Sequence, residues 1–476
     1  MSLNLVRNSR VYFTTNVDVN GIVGSSSFTS ANTQELQVLD GFTFSQNTNA
    51  DTVTISEAGS APVRGQRAFN TSLAPVDFSM STYIRPFNAT TSITAEESVL
   101  WNALFGTNAI STANTVTLTG VTGVTYAYDS TNTVKLGDGT VTIAGTGMTT
   151  TGLTVGDWVV IGGLTHGTAA DANTVNASGR LSEVTSSSIK VILAAPKAGS
   201  ISSISPVTAS TVKLYKSAWA PVTATTSYVS SGGSNFNQLQ KFGMIFVVDN
   251  QTYVVDNCSM NQVTIDFGLD AIATAAWSGQ GTVLRALSSA LNLTSATAKN
   301  TSAPFITNKL STVSMSLVKA LGTTAAGTPY NIALTGGSIT INNNISYVTP
   351  ANLGVVNLPA VYYTGTRAIT GTMNAYLKTG STEQGTGQLL QDMLAAISGS
   401  TEPMATISIS IGGSGGNKVV LDMPAVTFSI PTVDVQQVVS TAINFTAEGY
   451  SPGATAADSV FALDETNDIA VRYYAA

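Results

Sequence analysis

The chain has 476 residues, enough for two or three domains around a sizeable buried core. Only 10% of them are Asp, Glu, Lys or Arg, against about 25% in an ordinary soluble domain, whereas Thr (68) and Ser (52) supply 120 of the 476, so surface polarity must come from hydroxyls. The net charge of -7 argues against a nucleic-acid reader, and a single His (His166) with a single Cys (Cys258) excludes disulfide scaffolds, Cys/His zinc sites and Cys/His nucleophile pairs within one chain.

The N-terminus Met-Ser-Leu-Asn-Leu-Val-Arg-Asn-Ser-Arg-Val-Tyr-Phe lacks the apolar region of a secretory signal, and no run approaches the roughly 18 apolar residues of a membrane span. Synthesis and residence in a cytosol, with no membrane span, are therefore expected. Period-two alternation, β-branched residues and 42 glycines predict a mainly β protein. In chain order, strand signals begin with Gly41–Asn49 and a strand at 77–85, carrying Phe78-Ser-Met-Ser-Thr-Tyr-Ile84. A helix at 95–105 follows, announced by the capping box Thr94-Ala-Glu-Glu97 and closed by Gly106. Strands at 242–248 and 259–267 complete this set. A second set repeats the order: Gly337–Ile345, a strand at 367–377, a helix at 387–398 with Leu389, Leu390, Met393, Leu394 and Ile397, then strands at 405–411 and 425–430.

The two sets align end to end if residues of roughly 110 to 230 are removed from the first. Duplication with an insertion is the reading, against chance similarity between β segments. The inserted segment opens with Thr115-Val-Thr-Leu-Thr-Gly120, contains Leu153–Ile161 and Ile189–Leu193, and predicts a small β-barrel. It holds six basic and five acidic residues, so the excess negative charge belongs to the duplicated body. A polar return linker, Thr223–Ser234, leads back. The expected division is 1–109 with 235–300, an insertion at 110–234, and 301–476.

Constellations for chemistry are weak. Gly412-Gly-Ser-Gly-Gly-Asn-Lys418 lacks the Gly-Lys-Ser/Thr ending of a phosphate loop and leads into strand-like residues, so a hairpin turn is expected. His166 sits in the turn Gly162–Gly167, where a loop His is usually just that, and Cys258 reads as a small core residue. Arg64, Arg67 and Arg85 form the one basic cluster. They read either as partners of carboxylates such as Glu57 and Asp77 or as inter-subunit contacts, and the second reading is preferred.

Three stretches together carry a family resemblance: Glu57–Asn70, Phe78–Pro86 and Gly336–Pro350. They resemble the major tail tube proteins of long-tailed bacteriophages, in the double-length subtype with two fused tube modules per chain. The resemblance implies one β-sheet per module with a helix packed outside it, and modules joined around an axis into a closed barrel. Three chains then supply the six modules of a ring, and rings stack into a hollow tube. It also implies partners: further copies of the chain, a tape measure protein, tail-end proteins, and double-stranded DNA passing without specific binding during genome ejection. Location in the virion tail, assembly in the host cytoplasm, no cofactor and no enzymatic activity follow from it.

A lumen for moving DNA should be hydrophilic and not cationic, because Lys or Arg would hold phosphate. If the apolar faces pack against the helices, Asp77, Ser79, Ser81, Thr264, Asp266, Thr370, Thr372 and Asn374 face the lumen; the alternative is ordinary solvent-facing residues of an open sheet. The insertion follows the outer helix and would sit outside the tube. A different class of reading is a β-rich fibre that binds cell-surface carbohydrate through the insertion, whose aromatics Tyr126, Tyr128, Trp158, Tyr215 and Trp219 are scattered. A Ser hydrolase using His166 comes third.

Overall fold

The computed structural model describes residues 8–39, 41–55, 65–88, 93–105, 115–128, 139–153, 155, 158–176, 178–193, 199–207, 211–216, 239–249, 251–269, 271–301, 305–317, 329–353, 355–378, 384–398, 404–412, 418–430, 432–434, 439–448 and 469–474. The chain is mainly β, as its alternation predicts. Among the described residues one sheet has 18 strands and a second has seven. None of its helices is long and apolar enough to cross a membrane, among the described residues.

The first group of elements is β1 (Arg10–Thr14), β2 (Thr33–Leu36), β3 (Thr43–Ile55), β4 (Gly65–Tyr83) and helix α1 (Ser98–Phe105). After the insertion come β5 (Phe242–Val248), β6 (Gln251–Asp266), β7 (Thr274–Gly281) and β8 (Val283–Leu287). The second group is β9 (Thr312–Leu317), β10 (Leu334–Asn342), β11 (Ala368–Tyr376) and helix α2 (Thr386–Ser398), then β12 (Met404–Gly412), β13 (Lys418–Phe428), β14 (Thr432–Asp434), β15 (Ser440–Glu448) and β16 (Ala470–Tyr474).

Both groups pair in the same order. The ladders β3·β4, β4·β7 and β7·β6 of the first are matched by β10·β11, β11·β15 and β15·β13 of the second. A second layer repeats likewise, β1·β5·β6·β8 against β9·β12·β13·β16. Even the registers agree: Met80 faces Trp277 and Tyr83 faces Thr274, while Met373 faces Ile443 and Tyr376 faces Ser440. β6 belongs to both layers, and a register shift between Met260 and Gln262 marks where its partner strand changes alignment, as a bulge does when it bends a strand.

Alternation dictates what lies between the layers. Phe78, Met80, Val263, Ile265 and Trp277 turn inward from the first group, and Ile339, Ile341, Ile369, Met373 and Phe445 from the second. Leu100, Trp101, Leu104 and Phe105 of α1 are fully buried, and Trp101 meets Trp277 edge to face at 5.0 Å. Each such aromatic withdraws some 150–250 Å² from water, roughly 4–6 kcal/mol of transfer free energy before entropy is charged.

The helix start differs from the sequence expectation. Thr94 lies in a short strand, Ile93–Ala95, and α1 begins only at Ser98. Glu97 is therefore the residue before the helix, its carbonyl accepting from Leu100 N at 3.0 Å. Its side chain is buried and accepts from the Tyr473 hydroxyl instead of closing a capping box with Thr94.

Strands within 115–216 make the seven-stranded sheet, in the spatial order 115–119, 211–216, 158–162, 178–184, 188–193, 139–145 and 121–128. The expected small barrel is not found closed: the end strands 115–119 and 121–128 are joined through Gly120, but no ladder runs between them among the described residues. An apolar cluster of its own, including Leu118, Ile143, Leu181 and Val191, packs this sheet.

Candidate functional site

The eight residues read from the sequence as one polar set do come together. Register places them on one face of a continuous sheet running β3–β4–β7–β6–β10–β11–β15. Asp77, Ser79 and Ser81 stand opposite Gln280, Ser278 and Ala276 of β7. Thr264 and Asp266 of β6 stand between Ala276 and Thr274 on one side and Thr340 and Ser338 on the other. Thr370, Thr372 and Asn374 continue the face, opposite Thr446, Asn444 and Ala442. Because side chains alternate strictly, every intervening residue points into the core, and the polar face follows from the apolar one.

The face is satisfied by its own neighbours. The Thr43 and Ser79 hydroxyls lie 2.8 Å apart, Gln280 Nε2 donates to Asp77 Oδ1 at 2.9 Å, the Thr264 and Thr340 hydroxyls are 3.0 Å apart, and Thr372 Oγ1 donates to Asn444 Oδ1 at 2.7 Å. Cross-strand bonds of this kind stabilise a sheet by about 0.2–1 kcal/mol per pair. From Val76 to Tyr83 on β4, and along the paired stretches of β7, β6, β10, β11 and β15, there is no Lys or Arg, Arg67 lying farther along β4, and Asp77 and Asp266 are exposed. The result is a hydroxyl and amide surface of weakly negative charge, with nothing on it that would grip a polyanion.

Sequence reasoning missed part of the face: Ser278 and Gln280 on β7, Ser338 and Thr340 on β10, and Asn444 and Thr446 on β15. The last pair was readable in Ile443-Asn-Phe-Thr-Ala447, where apolar and polar residues alternate as cleanly as in the strands that were found.

The face crosses from one group to the other at β6·β10. There Phe267 N donates to Gly337 O at 3.0 Å, and Gly337 is needed for lack of room: an added Cβ would come within 2.2 Å of Thr372 O and 2.8 Å of the Phe267 ring. Asn343 fastens the same seam, its buried Nδ2 donating to Leu104 O at the end of α1.

The basic cluster disperses. Arg64 lies outside the described residues, and Arg67 is exposed on β4, opposite Val53 of β3. Arg85 departs from the expected surface role: it is 1% exposed, donates to the Gln37 side chain and lies 4.7 Å over the Phe305 ring, so its charge is spent inside the chain.

The remaining candidates hold structural posts. His166 Nδ1 lies 3.1 Å from Thr168 Oγ1 and 3.5 Å from Asp171, ahead of the short helix Ala169–Val175. Cys258 is fully buried, and burial pushes its thiol well above the usual range, away from the reactive thiolate. Gly412 and Lys418 face each other across an antiparallel pair, as a hairpin requires. Tyr126 of the insertion is buried in that sheet's core, not displayed for stacking on a sugar, and Trp219 lies outside the described residues. Among the described residues no three His, Cys, Asp or Glu side chains are grouped to hold a metal ion.

No protein-family model matches the chain. It is similar to Tail tube protein pb6 of Escherichia phage T5, 23% identical over 458 residues, which span 94% of this chain and 73% of that protein. The resemblance first carried by three stretches thus extends along nearly the whole sequence as a similarity to a phage tail tube protein.

Proposed function

We propose that the chain is the structural subunit of a phage tail tube. Three chains close into a ring of six modules, the modules being 1–109 with 235–300 and 301–476, and rings stack into a tube that conducts DNA during genome ejection. The observation that carries this reading is the single polar face shared by both groups of strands, free of Lys and Arg where β4, β7, β6, β10, β11 and β15 pair with one another. Turned toward the axis, Asp77, Ser79, Ser81, Thr264, Asp266, Thr370, Thr372 and Asn374 line a lumen that repels phosphate weakly and binds it nowhere. The insertion at 110–234 decorates the outside. Arg67, and Arg64 beside it in sequence, serve contacts between subunits; Arg85 does not. A tape measure protein and tail-end proteins are the further partners, assembly takes place in the host cytoplasm, and no catalysis is involved.

Negative-stain microscopy of the purified chain tests the reading. Rings or tubes with an open lumen are expected; a monomer that stays monomeric at every concentration would overturn it.

A further inference from the structure

We propose that neighbouring copies are joined by β14 of one chain and β3 of the next, in the register that β6 and β10 already show inside each chain. This rests on the assembly reading above and adds to it the strands, the faces and the residue pairs.

Internal repetition carries the inference. Thr264, Ile265 and Asp266 of β6 face Ala276, Ala275 and Thr274 of β7, and Thr432, Val433 and Asp434 of β14 face Ala442, Thr441 and Ser440 of β15. β14 thus stands in the second group where the end of β6 stands in the first, and Thr-Val-Asp replaces Thr-Ile-Asp. Likewise Ser338, Ile339 and Thr340 of β10 face Thr372, Gly371 and Thr370 of β11, while Thr43, Phe44 and Ser45 of β3 face Ser79, Phe78 and Asp77 of β4.

Within one chain the β6 edge of the first group meets the β10 edge of the second, with Asp266 opposite Ser338, Ile265 opposite Ile339 and Thr264 opposite Thr340. Among the described residues no second strand ladder occupies the equivalent edges at the two ends: β14 pairs only with β15, and β3 only with β4. Replacing each residue by its equivalent sets Asp434 opposite Thr43 of the next copy, Val433 opposite Phe44 and Thr432 opposite Ser45.

The chemistry of the two edges agrees with this register. Val433 is 37% exposed and Phe44 is partly buried against the core, so the pair extends the apolar face across the seam. Asp434 and Thr43 are both exposed and extend the polar face, as Asp266 and Ser338 do within the chain. Natural edge strands that must stay unpaired carry Lys, Pro or a bulge placed against pairing. Thr43–Ile55 contains no Lys, Arg or Pro, and the register shifts of its ladder to β4 lie beyond Ser45, clear of Thr43, Phe44 and Ser45. A second copy is therefore the occupant that this edge is built to accept.

Cysteine pairs read the register directly. Phe267 N donates to Gly337 O, so the adjacent pair Asp266/Ser338 falls at a non-hydrogen-bonded position. There Cα atoms lie about 4.5 Å apart, within reach of a disulfide. Asp434→Cys with Thr43→Cys should accordingly give covalent multimers of assembled particles on non-reducing gels. Asp266→Cys with Ser338→Cys should link within the chain without changing its mass, and Asp434→Cys with Ser45→Cys, slipped by two residues, should link at least tenfold less. Buried Cys258 does not compete.

Particles that assemble while the slipped pair links as well, or while neither links, overturn the register and leave the assembly reading standing. A parent chain that never assembles overturns both. Val433→Pro gives a second measurement that needs no disulfide. By equivalence with Ile265, its N–H points out of the chain, so proline should remove the inter-copy bond and spare the ladder to β15. A monomer with unchanged circular dichroism that no longer forms particles is expected, and normal assembly of this variant counts against the proposal.

Discussion

The sheet within 115–216 and the body around it bury separate apolar cores but end their sheets differently. Every buried residue of the insertion's cluster comes from 116–214, so that sheet closes its own core. The body's cluster runs from Val11 to Tyr473 and draws on both groups of strands, and among the described residues its polar-faced sheet ends on β3 and β14, each with one partner strand. Both sheets end on strands with a single partner, but only in the body do the two end strands match the edges of a ladder already formed within the chain, β6·β10. A repeated subunit needs a core of its own together with such matched edges, because it must fold alone and still offer backbone hydrogen bonds to its neighbours.

If the two cores are independent, calorimetry should resolve two unfolding transitions that separate mutations move one at a time. Trp277→Ala removes a side chain that packs edge to face on Trp101 and whose Nε1 donates to Thr82 Oγ1 at 2.9 Å. About 3–5 kcal/mol should be lost from the body's transition. Leu181→Ala, at a fully buried position of the insertion, should cost about 2–5 kcal/mol and move only the other transition. One transition that both variants lower together would break the comparison.

A pH scan sharpens the same contrast. In the body, Trp101 Nε1 donates to Tyr473 Oη at 2.8 Å and the Tyr473 hydroxyl donates to Glu97, tying the last strand to α1. Burial raises the Glu97 carboxyl to about 7, and its Oε2 has no hydrogen-bond partner among the described residues. A carboxyl whose pKa is raised on folding contributes stability that is whole below its ordinary value near 4.5 and is lost as pH rises toward 7. The loss is of order 3 kcal/mol at most. Glu97→Gln should flatten the body's transition temperature across that window and stabilise it at pH 8. The insertion should stay flat in both proteins, since Glu183 with Lys190 at 2.7 Å is a half-exposed pair that solvent screens. An unchanged pH slope in Glu97→Gln would show that the carboxyl is not buried as a charge.

Legibility in the sequence followed the strength of local pattern. Phe242–Val248 was read to the residue because a dense apolar run has only one way to end, and the polar face was found wherever Ser or Thr alternated with large apolar residues, as in 77–81 and 369–374. β7 escaped because Thr274-Ala-Ala-Trp-Ser-Gly-Gln-Gly is mostly small residues, whose burial is set by Phe78 packed against Gly279 across the ladder. The capping box misled for a tertiary reason: Glu97 is claimed by Tyr473, 376 residues away in sequence. Arg85 misled likewise, since a guanidinium looks like surface until Phe305 and Gln37 close over it. The edges β3 and β14 could be recognised as a matched pair only after the β6·β10 ladder supplied the pattern.

The smallest effect on stability falls on the polar face, where function should be most sensitive. Thr370 and Asn374 are exposed on β11, and exposed substitutions away from special features usually cost within about 0.5 kcal/mol. Thr370→Lys with Asn374→Lys should therefore leave folding and tube formation intact. Each chain then offers two cations to passing phosphates. Binding by counterion release weakens steeply with salt, with a logarithmic slope of about -0.9 per phosphate engaged. Variant tubes should retain duplex DNA at about 50 mM salt and release it near 200 mM, where parent tubes retain none at either. Thr142→Lys with Thr140→Lys, on partly exposed positions of a strand in the insertion, adds the same charge elsewhere and should leave DNA passage as it was. Equal retention by both variants would mean that added charge acts wherever it is placed; retention only by the Thr370/Asn374 variant would mean that the DNA meets the face on which β6 and β10 join.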